Sequence, residues 1–418
     1  MRIFAYIYII SLFISIIHQP FGSYDMIGPQ WFQLSLVNLI FLFIAFRFDL
    51  FNFLRNLISS PTIKIYLAFI FFAFFSIIFA SDLSYFFHDL GRLLTSFLIL
   101  LNLSFCFHIL SQKKFFDFFF PILLTITFYE IYLSVLPYLI YFKASGFSNW
   151  IYVNIPPGNF KGIAGNKNIT AALYVFKIPF LLYFLDKKSR FYRLLIYLAL
   201  FLSFFILFFL QTRSTYISLS LLFSFYFIYL LLHKRDIFIY RFFYITSTFL
   251  ISFIFFNNTL KSLVNENKDS FTSSIKSIEL SNDSSSNRFS LWSHTIDYIS
   301  SKPFGAGLGN WKLESIPYWN QVGGSYQVPY HAHNDFLEMT VETGFLGGIF
   351  YFILFLLPIW TSFKFSFINC KPDYIFIFLG FGVYFVDAFF NFPMERSYMQ
   401  LLLSFYFVFF INKNLIDS

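Results

Sequence analysis

The chain has 418 residues and a formal net charge of +8; 58% of residues are hydrophobic, 25% aromatic and only 12% charged. A soluble chain carries roughly 25% charged residues, so the composition excludes a soluble globular protein and points to a polytopic membrane protein. The Lys and Arg residues fall in short clusters between apolar runs rather than along one stripe, which argues for topology and against a nucleic-acid partner.

The first apolar run, 3–17, follows Arg2, and "HQPFGSYDMIGPQW" after it holds no small-residue cleavage site. It reads as a retained span rather than a signal peptide. Eleven further runs follow at 34–46, 62–80, 90–110, 115–141, 169–185, 194–211, 214–232, 240–256, 336–360, 373–391 and 397–412. Most are near the ~20 residues that cross a bilayer. The expected fold class is all-α, a polytopic transmembrane helical bundle of about 12 spans, with residues 1–418 as a single integral membrane domain.

The connecting segments alternate in charge. Arg47 and Arg55, Lys113 and Lys114, "DKKSRFYR" (186–193), "HKRD" (233–236) with Arg241, and Lys364 with Lys371 fall on one side. Together with Arg2 and Lys413 they predict that both termini are cytoplasmic. Loops 18–33 and 81–89 on the other side hold no Lys or Arg. Two outer segments are large, 142–168 and 257–335; in the second, "SIELSNDSSSNRFS" reads as flexible and "FGAGLGNW" onward as ordered. Cys106 and Cys370 read as small hydrophobes facing the membrane, not as a disulfide or zinc ligands.

Under this topology three polar clusters share the outer face. Arg213, in "LQTRSTYIS", sits in a two-residue gap between spans, either a functional charge or a side chain snorkelling to lipid phosphate. The second cluster begins at Arg288 and continues into "KPFGAGLGNW", where Gly305, Gly307 and Gly309 form either an anion-binding nest or a simple loop. The third is "HAHNDFLEMTVETGFLGG". There Asn334 is suited to cap the tenth span, Glu338 and Glu342 lie on one helical face, and Gly344 and Gly348 form a packing patch. His331, His333 and Asp335 lack the spacing of a helical metal site, so no metal and no cofactor is expected. A histidine can take a proton from a hydroxyl at neutral pH, and arginines can hold a diphosphate. These parts suit transfer of a group off a diphosphate. The main mid-span charges are Glu130, Lys177 and Asp387, with Arg92 near an outer end; a transporter would carry more.

The stretch "HAHNDFLEMTVETGFLGGIFYF" resembles the H-N-x-x-L-x-x-x-x-E-x-G-x-x-G signature of the O-antigen ligase and polymerase superfamily. "KPFGAGLGNW", "TRSTYIS", "GIAGNKNITAALYVFKIPF" and "DAFFNFPMERSYMQLLL" are similar to further segments of that family and stand in family order, so the resemblance covers about residues 160–410. It implies a GT-C-like, metal-independent glycosyltransferase of the bacterial inner membrane whose large periplasmic loop, 257–335, precedes the tenth span and whose active site faces the periplasm. The donor would be a glycan on undecaprenyl diphosphate. The acceptor would be lipid A-core for a ligase, or another lipid-linked repeat unit for a polymerase; a flippase for the same lipids is the competing class.

By motif position, the resemblance assigns His333 as catalytic base and Arg213 and Arg288 as diphosphate ligands. Asn166 and Asn168 fall in the family's Asn-x-Asn element, and Glu342 at its conserved-type acidic position; with His331 and Asn334 they complete the expected substrate-binding set. The role of His331 is open, because the signature does not require it.

Overall fold

The computed structural model describes residues 1–18, 27–48, 50–145, 162–259, 288–321 and 330–417. The flexible stretch expected at "SIELSNDSSSN", most of segment 142–161 and residues 322–329 lie outside the described residues. Every described element is helical. Among the described residues nine helices are long and apolar enough to cross a membrane, and three shorter apolar ones stand at Arg2–Ile17, Tyr374–Phe390 and Ser397–Asn412. All twelve expected spans therefore coincide with helices.

In chain order the helices are α1 (Arg2–Ile17), α2 (Ile27–Ala45), α3 (Leu50–Ile58), α4 (Pro61–Phe75), α5 (Leu83–Leu110), α6 (Gln112–Ser145), α7 (Lys167–Lys187), α8 (Arg190–Leu210), α9 (Arg213–His233), α10 (Arg235–Thr259), α11 (Arg288–Ser301), α12 (Asp335–Phe363), α13 (Tyr374–Phe390) and α14 (Ser397–Asp417). The short α3, α11 and the one-turn helix Trp311–Glu314 are additions to the twelve spans. The starts of α5 and α7 carry side-chain caps. Asp82 accepts from the N–H groups of Ser84 and Tyr85 at the start of α5, and Asn166 from that of Asn168 at the start of α7.

The helices group into two compact units. The first comprises residues 1–112, 279–362 and 384–418; the second comprises 113–278 and 363–383. In the second unit α7 is the central helix, buried over nearly its whole length against α8 and α9, while α10 packs on α8 and exposes Ile239, Phe243, Ile251 and Ile254. Such exposed apolar side chains suit lipid rather than water. The mid-span charges expected at Glu130 and Lys177 bind each other inside this unit, Nζ to Oε2, with the ammonium 4.7 Å from the Tyr174 ring. Pairing is what makes two charges tolerable at that depth.

In the first unit α5 packs against α2 and α14, and two polar contacts hold the entry to α14. Ser397 Oγ donates to Gln30 Oε1 at 2.6 Å, and the Trp31 indole N–H donates to the Glu395 carbonyl at 2.9 Å. The turn Pro393–Glu395 is thereby fixed beside the start of α12, because the Asp335 carboxylate accepts the Met394 N–H at 2.9 Å.

Helix α12 is broken inside. Gly344 has φ 79°, ψ 170°, and the loop after α11 enters the break. The Ala306 and Gly307 N–H groups donate to the carbonyls of Val341 and Glu342, at 2.8 and 3.0 Å, and the Phe345 N–H donates to the Pro303 carbonyl at 2.9 Å. A membrane helix tolerates such a break only where protein restores the lost backbone bonds. Gly344 is thus a hinge in the backbone and not the flat packing patch its spacing with Gly348 suggested.

Candidate functional site

The site is built on residues 330–334, just before α12. Asn334 caps the helix as expected, its Oδ1 accepting from the N–H groups of Phe336 and Leu337 at 3.0 and 3.1 Å. One turn in, Glu338 reaches back over the loop: one oxygen accepts the Ala332 N–H at 2.8 Å and the other binds His331 Nδ1 at 2.8 Å. The Ala332 carbonyl accepts the Trp292 indole N–H at 3.0 Å. Held on both sides at Ala332, the chain carries His333 at φ 51°, a left-handed conformation uncommon for a residue with a side chain. Backbone strain of this kind persists where the surroundings over-determine it, and it clusters at functional sites.

The two histidines have different surroundings. His331 is bracketed by carboxylates, with Glu338 on Nδ1 and Glu395 3.3 Å from Nε2, and its ring stacks on Phe392 at 4.0 Å. Burial opposes its charged form, but the two carboxylates outweigh that and hold its pKa above the usual histidine value. His333, half-buried, has no carboxylate beside it; its Nδ1 is buried and finds no hydrogen-bond partner among the described residues. Burial first, and then the positive charges of Arg288, His331 and Arg396, push its pKa down to about 4. At neutral pH His333 is therefore a neutral imidazole set among cationic groups.

Phe392 is the common wall of this arrangement. His331 stacks on it, His333 meets it at 67° with centroids 5.2 Å apart, and the Arg396 guanidinium lies 4.7 Å from its centroid. Arg396 and Phe392 belong to "NFPMER" between α13 and α14. Sequence reasoning singled out that stretch as a family-like segment but named none of its residues for the site. The available signal was a Glu-Arg pair after a proline, placed between two apolar runs.

The remaining expected residues fall as follows. Arg288 is the first residue of α11 and acts electrostatically on His333. Glu342 is buried and accepts the Trp311 N–H at 3.2 Å, so it anchors the glycine loop rather than opening to a ligand. The nest reading of Gly305, Gly307 and Gly309 finds no support in the hydrogen bonds. The Gly305 and Gly307 N–H groups donate to the carbonyls of Lys302 and Glu342, and that of Leu308 to Ser76 Oγ. Each glycine instead permits a close approach: an added Cβ would lie 2.6 Å from the Gly344 nitrogen at Gly305, 2.5 Å from Ala80 Cα at Gly307, and 2.5 Å from Asp89 Oδ2 at Gly309. Arg213 begins α9 after the two-residue gap the sequence predicted, with Gln211 left-handed, and Asn166 caps α7, next to Asn168; all three belong to the second unit. Neither cysteine sits as expected: Cys106 is buried inside the protein rather than facing the membrane, and Cys370 is exposed on a loop, its Sγ 3.4 Å from His233 Nδ1.

His331, Glu338 and Glu395 bring three potential metal-ligand atoms within 4.8 Å of one another. Both nitrogens of His331 face carboxylates, and one ring can give a single ion only one of them. The donor set fits an imidazolium between two carboxylates better than a metal centre.

A family model described as O-antigen ligase matches residues 198–352, which include Arg213, Arg288, the glycine loop and the histidine loop. No curated protein matches the chain. The match bears out the resemblance read from the motifs: across this region the chain is similar to the O-antigen ligase and polymerase superfamily, membrane proteins that ligate or polymerise glycans.

Proposed function

We propose that the protein transfers a glycan from undecaprenyl diphosphate to an acceptor hydroxyl at the outer face of the bacterial inner membrane, with His333 as base and Arg288 and Arg396 holding the diphosphate. The observation that carries this reading is His333 itself: a neutral imidazole, on a strained backbone, beside cationic groups that would meet an anion.

The step balances simply. The acceptor oxygen bonds to the anomeric carbon while the bond from that carbon to the diphosphate oxygen breaks, and the electron pair leaves on the diphosphate. The acceptor proton passes to His333. Attack from the face opposite the leaving group inverts the anomeric configuration. Arginines stabilise the charge that grows on the diphosphate, the electrostatic part of catalysis. The same arginines couple binding to basicity. When the diphosphate offsets the charges of Arg288 and Arg396, the main electrostatic cause of the low His333 pKa is reduced and the imidazole becomes a stronger base. Arg213 enters this reading on its motif alone.

The favoured acceptor is lipid A-core, which makes the protein a ligase; a lipid-linked repeat unit, which would make it a polymerase, is the second reading. The pairing of Glu130 with Lys177 counts against a transport path built on mid-span charges. With purified protein in nanodiscs, His333→Ala should lower the rate of transfer by roughly 10²–10⁴-fold; transfer at the wild-type rate would end the base assignment. In a deletion strain, polymer that stays on the carrier and is absent from lipid A-core indicates the ligase, and glycolipid with a single repeat indicates the polymerase.

A further inference from the structure

Beside the histidine loop, within the first unit, lies a cavity of about 400 Å³ walled by Tyr85, Arg92, Lys312, Tyr330, His331 and Glu395, among others. It is within the range of a small-ligand site and far too small for a polymer. The sequence places its walls on four separate segments: the first turns of α5, the turn after the glycine loop, the residues leading into α12 and the turn Pro393–Glu395. Asn310 ties the first two together. Its Oδ1 accepts from the Asp82 N–H at 2.7 Å and from Ser81 Oγ at 3.0 Å, while its Nδ2 donates to the Asp82 carbonyl at 3.2 Å.

The charges on this wall are unequal. Arg92 and Lys312 bring two cationic side chains against one lining carboxylate, Glu395, which lies 3.6 Å from Arg92 and 3.3 Å from the His331 ring. Asp89 binds Arg92 at 3.1 Å and Lys312 at 3.5 Å but does not line the cavity, so it positions the two cations from behind. Arg92 Nε is buried and without a hydrogen-bond partner among the described residues. Two rings complete the lining: Tyr85, 4.5 Å from the Lys312 ammonium, and Tyr330, 60% exposed. Cationic donors beside aromatic faces suit a sugar ring that carries a phosphate or a carboxylate. The cavity shares His331 with the loop that carries His333, and the rings of both histidines meet Phe392.

We propose that this cavity is the acceptor subsite, binding a sugar through an anionic substituent held by Arg92 and Lys312 so that a nearby hydroxyl reaches the histidine loop. The acceptor role rests on the transfer reading above; the binding of an anionic sugar does not, and it is measured directly.

The probes are glucose 6-phosphate, glucuronate and glucose, titrated against the full-length protein in nanodiscs by saturation-transfer NMR, and inorganic phosphate, read by its displacement of glucose 6-phosphate. Glucose 6-phosphate and glucuronate should bind at least tenfold tighter than glucose, and Lys312→Gln should abolish that preference. Because Lys312→Gln also removes a partner from Asp89, Tyr330→Ala, at an exposed position, serves as a second variant and should weaken both anionic sugars severalfold. Inorganic phosphate binding as tightly as glucose 6-phosphate would overturn sugar recognition. No preference for the anionic sugars, or one untouched by either variant, would overturn the site itself while leaving His333 to its own transfer assay.

Discussion

At the scale of single residues, two histidines only two positions apart are tuned in opposite directions, and the cause is which neighbour each one meets. His331 lies between Glu338 and Glu395; His333 lies near Arg288, Arg396 and His331 itself. If His333 is the base, the free enzyme should keep it deprotonated far below neutral pH. The acid limb of kcat/KM should then fall at about pH 4 rather than near 6.5. The coupling between the rings also has a sign. His331→Gln removes a positive charge that faces His333, so the pKa of His333 rises and the acid limb of kcat/KM should move up towards 6.5. A pH-rate series on the two proteins checks this, and a limb that stays put or moves down would contradict the coupling. The role of His331, open from the sequence, is thus structural and electrostatic in the first instance.

At the scale of elements, the break in α12 and the glycine loop form one device. Pro303 to Gly307 supplies the backbone partners that the helix loses at Gly344, and Gly305 and Gly344 lie back to back. Gly305→Ala would force a side chain to φ +92° and bring its Cβ 2.6 Å from a backbone nitrogen. The strained conformation alone costs on the order of 1–3 kcal/mol. Gly91→Ala in α5 is the control, since no atom lies within 4 Å of its added Cβ and alanine favours a helix by roughly 0.5–1 kcal/mol over glycine. Thermal unfolding in detergent should therefore show Gly305→Ala clearly destabilised and Gly91→Ala unchanged or slightly stabilised; equal melting of the two would refute the close-approach account. The motif was plain in the sequence, but its purpose was not. Spacing shows that glycines are present, whereas only coordinates show that the neighbouring N–H groups already have acceptors. The Asn334 cap, by contrast, was legible because a cap acts within three residues of itself. Arg396 and Phe392 were not singled out, since their contact with His333 spans some sixty positions that no local pattern connects.

At the scale of the whole molecule, the spans were legible because a bilayer imposes length and apolarity on every one of them. Charge alternation added the expected orientation, and within the second unit the structure brings the same segments to one end. There Lys187 binds Asp373 at 2.9 Å, Lys188 binds Asp117 at 2.5 Å, Arg241 binds Asp186, and Cys370 meets His233. The start of α6, the end of α7, the α9–α10 turn and the loop before α13 therefore share one end of that unit, and they are the same segments that the Lys and Arg clusters assign to the cytoplasm. Packing and composition agree although neither determines the other. Cys370, exposed on that end, is a native reporter of sidedness. A membrane-impermeant maleimide should leave it unmodified in intact spheroplasts and label it in inverted vesicles. Ser300→Cys on the exposed face of α11, in a Cys370→Ser background, should give the reverse pattern. Labelling of Cys370 from outside would turn the protein over in the membrane and put the histidine loop on the cytoplasmic side, away from the periplasmic acceptor that the proposed reaction requires.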